Sequence, residues 1–556
     1  MKTPYQRFWQ LLKPDQKEIY QVYTYAFFKG VIALSLPLGI QSIINLIQAG
    51  TVSTAWLVLV GVVVTGIVMG GYMQLMQMRI MENIQQKIFT RAAFDFTFRI
   101  PKIKFEEINK YYAPELVNRF FDVISIQKSL AKLIIDFSSA ILQIIFGLIL
   151  LSLYHPFFII FGVLLVLIVY VIFKFTSNKG LQTSIQESSY KFKVVSWLEE
   201  LARSKDSFKL AGITDLPEKK TDDRVSGYLD SREKHFKILK SQYIFLLIFK
   251  TLVALGLLLI GGLLVLEQKI NIGQFVASEI IILLVIDSSE KLILNLENVF
   301  DTLTSLEKIG QLIDLKLDNE NENSSINHEC TAPLTVEIDN LFFNYHQHQN
   351  PIINGINYTF KGNHSYCITG NNGSGKSTLI HLIAGLFPPT SGSICINGFP
   401  IGNYYLPKLY QNIGNGLNEE TIFEGTLFEN ISLGRAIISS EDVIHAIEKL
   451  HLTDFVKSLP KGLDNPIEIS GNKLPKSIVQ RIIIARSIVN RPTLLLLENQ
   501  LDAIEENVRR NIIDFLTAKS NQWTLICVSN DKYLQEKCDQ LLIMENGKIF
   551  DSSKNN

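Results

Sequence analysis

One nine-residue segment restricts the fold of this chain more than any other part of its sequence. It fits G-x-x-x-x-G-K-[ST] without a mismatch and consists of Gly370, Asn371, Asn372, Gly373, Ser374, Gly375, Lys376, Ser377 and Thr378. An apolar run typical of a buried strand precedes it and an apolar run typical of a helix follows, which is the context the motif requires. Backbone N–H groups in such a loop point at nucleotide phosphates, at a helix N-terminus that already favours anions. The segment therefore predicts binding of ATP or GTP.

Two side chains of this loop have predicted chemical roles. Lys376 supplies a positive charge to the phosphates, and Ser377 supplies a hydroxyl ligand for Mg²⁺. The alternative is a glycine-rich turn that only resembles the motif. Full agreement with the pattern and the correct flanking runs disfavour that alternative.

The apolar residues are concentrated in the first three hundred positions, in six segments of the roughly 20 residues that cross a bilayer. The predicted spans are 22–47, 53–76, 133–153, 157–175, 243–266 and 272–293. The segments 79–132 and 176–241 between them are long, helical in pattern and rich in Lys and Arg. The positive-inside rule places both of these loops, both termini and the phosphate-binding loop in the cytoplasm. The N-terminus lacks the pattern of a cleaved signal peptide.

Charge and cysteine content exclude other classes of protein. Lys and Arg number 53, as do Asp and Glu, so the sequence suggests no nucleic-acid partner. The cysteines have no metal-like spacing and are expected to be reduced thiols that mostly fill the core. They are Cys330, Cys367, Cys395, Cys527 and Cys538.

The two long loops and the membrane spans each contain a feature with two interpretations. The loop centres, at 101–105 and 205–209, are expected to turn and touch another domain, or else to be ordinary charged surface turns. Lys29, Lys250 and Glu279 fall within predicted spans, where charge is costly. Lys250 and Glu279 are predicted to pair across the fifth and sixth spans, in a transport pathway. Alternatively, these side chains lie near the interface and reach the headgroups.

Composition and pattern divide the chain into three parts. Residues 1–313 form the all-α membrane domain with its cytoplasmic extensions, residues 314–333 a polar linker, and residues 334–556 an α/β nucleotide-binding domain. Strands alternating with helices around a phosphate-binding loop predict a mainly parallel sheet, with the nucleotide at the carboxyl ends of its strands.

Six spans with two long cytoplasmic loops, followed by a phosphate-loop domain, resemble the half-transporter layout of ABC exporters. The resemblance covers nearly the whole chain, and the segments 425–431, 480–487 and 545–549 resemble family motifs. It implies that the ring of Tyr345 stacks on adenine. The segments 272–275 and 306–309 are most similar to exporters of type I secretion and of bacteriocins.

The departures from the family pattern fall on the groups that act on the γ-phosphate. Pro475 and Lys476 occupy the signature, where the family has Ser and Gly. Glu498 replaces the metal-binding Asp and can still organise Mg²⁺. The resemblance implies that Asn418, Asn499 and Asn530 stand at the glutamine, general-base and histidine positions of the family. An amide cannot take a proton from water, so no catalytic group is intact and hydrolysis is predicted to be weak or absent.

The resemblance implies a half-subunit of an exporter that uses ATP and Mg²⁺ and sits in the bacterial inner membrane. Its cargo is predicted to be a peptide or protein, with a periplasmic adaptor and an outer-membrane channel as further partners. Such subunits act as homodimers or heterodimers. A heterodimer with another half-transporter is favoured, since a homodimer would combine Asn499 with Pro475 and Lys476 at both sites. The alternative is a non-pumping pseudo-transporter with a regulatory or assembly role.

Overall fold

A computed structural model describes residues 2–50, 54–108, 111, 113–318, 332–345, 351–417, 421–467 and 474–551. The contacts divide the chain into two compact units. The first comprises Met1–Ile103 and Ile108–Lys316, and the second comprises Lys104–Glu107 and Leu317–Asn556. Cys330, Asn418 and most of the predicted linker lie outside the described residues.

The part of the chain before residue 314 is helical wherever the structure describes it, apart from short turns. Its α-helices are α1 (Pro4–Leu12), α2 (Gln16–Ala33), α3 (Ser35–Gln48), α4 (Thr54–Arg99), α5 (Phe105–Ile108), α6 (Ala113–Asn118), α7 (Phe121–Lys132), α8 (Ser138–Tyr154), α9 (Phe157–Arg203), α10 (Lys205–Leu210), α11 (Leu216–Gly256), α12 (Gly262–Leu266), α13 (Ile272–Leu294) and α14 (Leu296–Ile313). π-Helical turns at Leu133–Phe137 and Leu257–Gly261 join α7 to α8 and α11 to α12.

The prediction of six membrane spans is confirmed by helix length and composition. Among the described residues, six helical segments are long and apolar enough to cross a bilayer. The helices α4, α9 and α11 contain 46, 47 and 41 residues. At 1.5 Å per residue each is roughly 60–70 Å long, about twice the hydrocarbon thickness. Their charged halves are therefore the predicted helical extensions.

The expected turning points of the two long loops are also confirmed. Helix α4 ends at Arg99 and is followed by a 3₁₀ turn, Ile100–Lys102. Helix α9 ends at Arg203, and the short α10 precedes the start of α11. Phe105, which groups with the second unit, packs edge-on against Phe387 with 5.1 Å between ring centroids.

The predicted pairing of Lys250 with Glu279 is wrong. The Lys250 ammonium instead forms an ion pair with Glu290. Glu279 precedes Glu290 by three turns of α13, and the sequence offered no means of choosing between these two carboxylates. Lys29 Nζ donates to Gln74 Oε1 at 3.3 Å, so this second intramembrane lysine contacts a neutral side chain.

The second unit is an α/β domain, as predicted. Its strands are β1 (Val336–Phe343), β2 (Ile353–Phe360), β3 (Ser365–Thr369), β4 (Ser391–Ile396), β5 (Phe399–Pro400), β6 (Ile413–Gly416), β7 (Gly425–Thr426), β8 (Pro466–Ile467), β9 (Leu494–Glu498), β10 (Thr524–Val528), β11 (Gln540–Glu545) and β12 (Lys548–Asp551). Its further helices are α15 (Lys376–Ile383), α16 (Leu406–Asn412), α17 (Leu427–Ser432), α18 (Ser440–Lys449), α19 (Thr453–Ser458), α20 (Lys476–Ile488), α21 (Glu506–Leu516) and α22 (Lys532–Lys537).

The central sheet has the strand order β12-β11-β3-β10-β9-β6 among the described strands. All its neighbouring pairs are parallel except β11 with the edge strand β12. A smaller antiparallel sheet has the order β2-β1-β4-β5. In the central sheet β9 and β10 are buried along their whole length, which is why Leu494–Leu497 and Leu525–Val528 are continuous apolar runs. The carboxyl ends of β3, β9 and β10 meet at one edge.

Candidate nucleotide site

The phosphate-binding loop occupies the turn between β3 and α15, as the motif predicted. Its backbone requires glycine at two positions. Gly370 has φ +141°, and a Cβ there would lie 2.2 Å from the carbonyl oxygen of Met544. Gly375, with φ +100°, directly precedes α15. Because residues with side chains rarely adopt these angles, the glycines set the course of the loop.

Lys376 is the first residue of α15 and reaches back over the loop. Its Nζ donates hydrogen bonds of 2.8 Å to the carbonyl oxygens of Gly370 and Asn371. Burial lowers the pKa of Lys376 below its ordinary value, and the Glu498 carboxylate partly opposes this shift. The ammonium is thus held at the mouth of the loop, where it would meet a phosphate.

The two residues predicted to bind metal lie side by side. The Ser377 hydroxyl donates a hydrogen bond to the Glu498 carboxylate at the end of β9. Glu498 is only 2% exposed, and a buried carboxylate normally requires a cation or several donors. A hydroxyl and a carboxylate are hard oxygen donors of the kind Mg²⁺ takes alongside nucleotide phosphates. This donor set fits Mg²⁺ and would neutralise charge on the phosphates.

Asn499 follows Glu498 in a left-handed conformation with φ +52°, which asparagine tolerates better than most residues. Its N–H donates to the carbonyl of Val528 at 3.0 Å. Gln480 of α20 holds the same loop, since its Nε2 donates to the Asn499 carbonyl at 3.2 Å and its Oε1 accepts from Ala503 N–H at 2.9 Å. The backbone here is well anchored, but the side chain is an amide and cannot act as a base.

Asn530 lies at the carboxyl end of β10, beside the start of the phosphate-binding loop. Its Oδ1 accepts a hydrogen bond of 3.0 Å from Thr369, the last residue of β3. The next residue, Asp531, caps α22 and forms a 2.9 Å ion pair with Arg509 of α21. Burial, and secondarily Asp531, raise the pKa of Asp502 in the neighbouring loop. The structure thus brings Asn499 and Asn530 to the sheet edge that holds the loop.

The two residues predicted to occupy the family signature stand at the start of α20. Pro475 precedes the first helical residue, Lys476, and both are exposed. The Pro475 carbonyl accepts from the N–H groups of Ile478 and Val479 at 2.9 and 3.1 Å. Because proline has no N–H, this helix start has one backbone donor fewer for an anion than a Ser or Gly there would supply.

Tyr345 lies close to the phosphate-binding helix. Its hydroxyl is 3.4 Å from Thr378 Oγ1, and its ring packs against Phe343 and Phe387 at 4.9 and 5.4 Å between centroids. The aromatic side chain predicted to stack on adenine is therefore next to the loop that would hold the phosphates.

Two glutamines that sequence reasoning did not assign hold the loop after β9. In the sequence, Gln480 belongs to the segment 480–487 that resembles a family motif, but nothing there assigns it a role. Its two contacts with the loop after β9 show that it holds this loop in place. Gln500 is buried, and its Nε2 donates to the carbonyl of Leu417 at 2.9 Å, next to Asn418. These contacts join positions far apart in sequence, so no local pattern could reveal them.

Family models match both parts of the chain. The model described as ABC transporter transmembrane region matches residues 23–289, and the model described as ABC transporter matches residues 353–501. The chain is a half-transporter of the ABC transporter family. A solved structure described as a bacterial Atm1-family ABC exporter with ATP bound is similar with a TM-score of 0.84 and 18% identity, covering 96% of this chain and 94% of that one. The half-transporter therefore has the exporter fold.

Relatives of this half-transporter are similar over a limited part of their length. A Staphylococcus aureus protein named for multidrug export as an ATP-binding/permease protein is 31% identical over 217 residues, which are 39% of this chain and 38% of that protein. An ATP-dependent lipid A-core flippase of Idiomarina loihiensis is 30% identical over 217 residues, 39% of this chain and 37% of the flippase. The half-transporter is thus matched over less than two fifths of the length of these relatives.

Proposed function

We propose that this half-transporter is the ATP-binding, hydrolysis-impaired half of an ABC exporter, in which ATP binding drives closure of the nucleotide domains. The observation that carries the proposal is the contrast between two neighbouring residues. Glu498 is buried beside Ser377 in a position suited to Mg²⁺, whereas Asn499 places an amide at the family's base position.

Nucleotide binding is supported by the intact phosphate-binding loop. Gly370 and Gly375 have the backbone angles that the loop needs, Lys376 lies over it, and Tyr345 stands beside it. None of these residues is among those that differ from the family pattern. ATP with Mg²⁺ is therefore the proposed ligand.

Impaired hydrolysis is supported by the replacement of the reacting groups. Loss of a positioned general base alone typically costs about 10²–10⁴ in rate. Pro475 removes a backbone donor from the signature, and loss of one such donor costs roughly 10²–10³ elsewhere. Asn530 and Asn418 have amide side chains at the positions where the family has histidine and glutamine. These losses together leave little turnover.

A heterodimer with a second half-transporter is the proposed assembly. In this family one subunit supplies the phosphate-binding loop and the other the signature, so a homodimer would repeat Asn499 and Pro475 at both sites. The bacterial inner membrane is the proposed location, with the nucleotide domain and both termini in the cytoplasm. A periplasmic adaptor and an outer-membrane channel stay predictions that rest on the resemblance alone.

The predicted peptide or protein cargo also rests on the resemblance to type I secretion exporters. The relatives are named for multidrug export and for flipping of lipid A-core, which favours a smaller amphipathic molecule. The second candidate function is a non-pumping subunit that binds ATP and regulates or assembles a membrane complex. Transport by the reconstituted pair of half-transporters distinguishes it from an exporter.

The first experiment measures ATP affinity with a fluorescent analogue, and steady-state phosphate release, on the purified chain in lipid with Lys376→Ala as control. We expect micromolar binding that Lys376→Ala abolishes, and phosphate release no higher than that of the control. Turnover on the order of 1 s⁻¹, an ordinary enzyme rate, would contradict the proposed impairment.

Restoring the base tests the role of Asn499 directly. We expect Asn499→Glu to raise phosphate release roughly tenfold or more, below the full 10²–10⁴ because the other replacements persist. Asn499→Gln is the matched control, since it adds the same length without a proton acceptor. Equal rates in the two variants would show that Asn499 does not occupy the base position.

A further inference from the structure

The fifth span is interrupted close to its predicted non-cytoplasmic end. Helix α11 ends at Gly256, a π-helical turn covers Leu257–Gly261, and α12 starts at Gly262. Glycine weakens a helix, and helices bend at glycines and at π turns. The three glycines around this π turn therefore make the segment a pliant point of the span.

Close packing explains only one of these glycines. A Cβ at Gly261 would lie 2.9 Å from the ring of Phe275 on α13, so a side chain there would push the two helices apart. A Cβ at Gly256 or Gly262 would have no described atom within 4 Å. Both residues have α-helical angles, with φ −60° and ψ −42°, so alanine would fit without strain. Glycine at these two positions weakens the helix without serving close packing.

The part of the chain beyond the π turn is one compact piece. The N–H groups of Lys269 and Ile270 donate to the carbonyl of Leu264 at 2.9 and 3.3 Å, which closes the turn after α12. Asn271 then caps α13 in a reciprocal capping box with Gln274. Leu264 and Ile270 are buried. Helix α12, the turn after it and the first turn of α13 are thus held together by their own contacts.

The same piece is fastened to the ends of two other spans. A Cβ at Gly273 would collide with the side chain of Asn45 and lie 3.0 Å from the carbonyl oxygen of Gln41, so α13 lies tightly against α3. The Tyr154 hydroxyl, at the end of α8, donates to Gln41 Oε1 at 2.5 Å. We call the ends of α3 and α8, together with the segment 262–274, the outer cap.

On the other side of the π turn, the cytoplasmic half of α11 is held against α9. Thr183 Oγ1 and His235 Nδ1 are 2.9 Å apart, and Arg232 Nη1 donates to Glu187 Oε1 at 3.2 Å. The segment Gly256–Gly262 therefore lies between two anchored regions, the outer cap and the cytoplasmic half of α11.

The membrane half of α11 borders an empty space. An apolar cavity of about 280 Å³ lies between α9 and α11, directly before the π turn. Leu164 of α9 lines one wall, and Leu252 and Gly256 of α11 line another. Side chains around a void lose contacts that a closed interface would give them. The cavity thus leaves α11 space to move, and closing it would gain packing.

We propose that the segment Gly256–Gly262 is a hinge at which the membrane half of α11 swings towards α9 and closes this cavity, while the outer cap keeps its place. In lipid every backbone polar group needs an internal partner, and π adjustments supply partners to groups that a bend would free. The two open glycines lower the cost of changing the backbone angles. The hinge depends neither on ATP hydrolysis nor on the identity of the cargo.

The test measures disulfide formation across the cavity. Leu164→Cys and Leu252→Cys are introduced together into the full chain in nanodiscs, and copper–phenanthroline is added as the oxidant. Each thiol loses a proton and an electron, and Cu²⁺ takes the electrons. A disulfide requires Cα atoms within about 7 Å, so the linked peptide, followed by mass spectrometry, reports closure of the cavity. The native cysteines lie at position 330 and beyond, outside the membrane domain.

The hinge variants are Gly256→Ala, Gly262→Ala and the double variant. Gly262 is not among the described residues that line the cavity, so its single variant separates stiffening of the hinge from filling of the cavity. Gly61→Ala with Gly71→Ala is the matched control. These glycines of α4 also leave a Cβ free of described atoms within 4 Å, but they lie in an uninterrupted α-helix. Thermal unfolding and binding of the fluorescent ATP analogue check the folding of every variant.

We expect the double variant to form the disulfide about fivefold or more slowly, and each single variant to slow it by less, because alanine holds the α-helical backbone better than glycine. The control should stay within about twofold of the unmodified background. No disulfide in the unmodified background would overturn the inference, and so would equal rates in the double variant and the control. A slower rate in Gly256→Ala alone would also overturn it, since that result would report filling of the cavity.

Discussion

The hydroxyl of Ser377 donates a hydrogen bond to the carboxylate of Glu498, although 121 positions separate the two residues in sequence. The contact joins the first turn of α15 to the end of β9. It places both predicted Mg²⁺ ligands at the carboxyl edge of the central sheet, below the phosphate-binding loop.

Glu498→Gln should weaken nucleotide binding only when Mg²⁺ is present. The amide keeps the size of the side chain but loses the charge that attracts the metal, so affinity in Mg²⁺ should fall roughly tenfold or more. Affinity in excess EDTA should be unchanged. Titration with a fluorescent ATP analogue under both conditions measures the effect, and Glu505→Gln, at an exposed carboxylate, is the control. An equal loss with and without Mg²⁺ would show that Glu498 supports the loop instead of the metal.

Gly370→Ala should abolish nucleotide binding, whereas Gly373→Ala should only weaken it. A Cβ at Gly370 would lie 2.2 Å from the carbonyl oxygen of Met544, so the loop would have to move. Gly373 has φ +81° but no atom within 4 Å of such a Cβ. Its substitution carries only the backbone cost, about 1–2 kcal/mol. Analogue titration and thermal unfolding measure both effects, and equal losses in the two variants would contradict this account.

ATP affinity should fall as the pH rises through the lowered pKa of Lys376. Burial lowers the pKa of Lys376 in the free protein from its ordinary value of 10.5, and bound phosphates would raise it again. The bound state then holds more protons, so affinity is full below the lowered pKa and is lost as the pH rises through it. Analogue titrations from neutral pH to 10.5 measure the decline. Lys376→Arg stays charged and should give a flat profile. The same decline in both proteins would assign the pH effect to another group.

Tyr345→Ala should weaken binding of ATP more than binding of inorganic triphosphate. Stacking of a base on an aromatic side chain contributes about 1–3 kcal/mol, so ATP affinity should fall about fivefold or more. Tyr345→Phe keeps the ring and loses only the 3.4 Å contact with Thr378, and it should bind ATP nearly normally. Competition against the fluorescent analogue measures the affinities of the unmodified chain, Tyr345→Ala and Tyr345→Phe for ATP and for inorganic triphosphate. If Phe and Ala weakened ATP equally, the hydroxyl contact would be the important one.

Much of the fold could be predicted because its determinants are local in sequence. The membrane spans are continuous apolar runs, and the phosphate-binding loop is one short motif between a strand and a helix. The prediction that Asn499 and Pro475 differ from the family pattern also rests on neighbouring residues in the chain. Local propensity and hydrophobicity act over a few residues, and the printed sequence contains them in full.

The sequence by itself determined the helical membrane domain, the α/β nucleotide domain and the identity of the groups at the site. Only the tertiary structure decided which distant side chains meet. It paired Lys250 with Glu290 and not with Glu279, joined Ser377 to Glu498, and used Gln480 to hold the loop after Asn499. Each of these contacts depends on how helices and strands pack, and a shift of one element along its neighbour would change which side chains meet. The sequence shows which side chains could form each contact, and the packing of helices and strands decides which of them do.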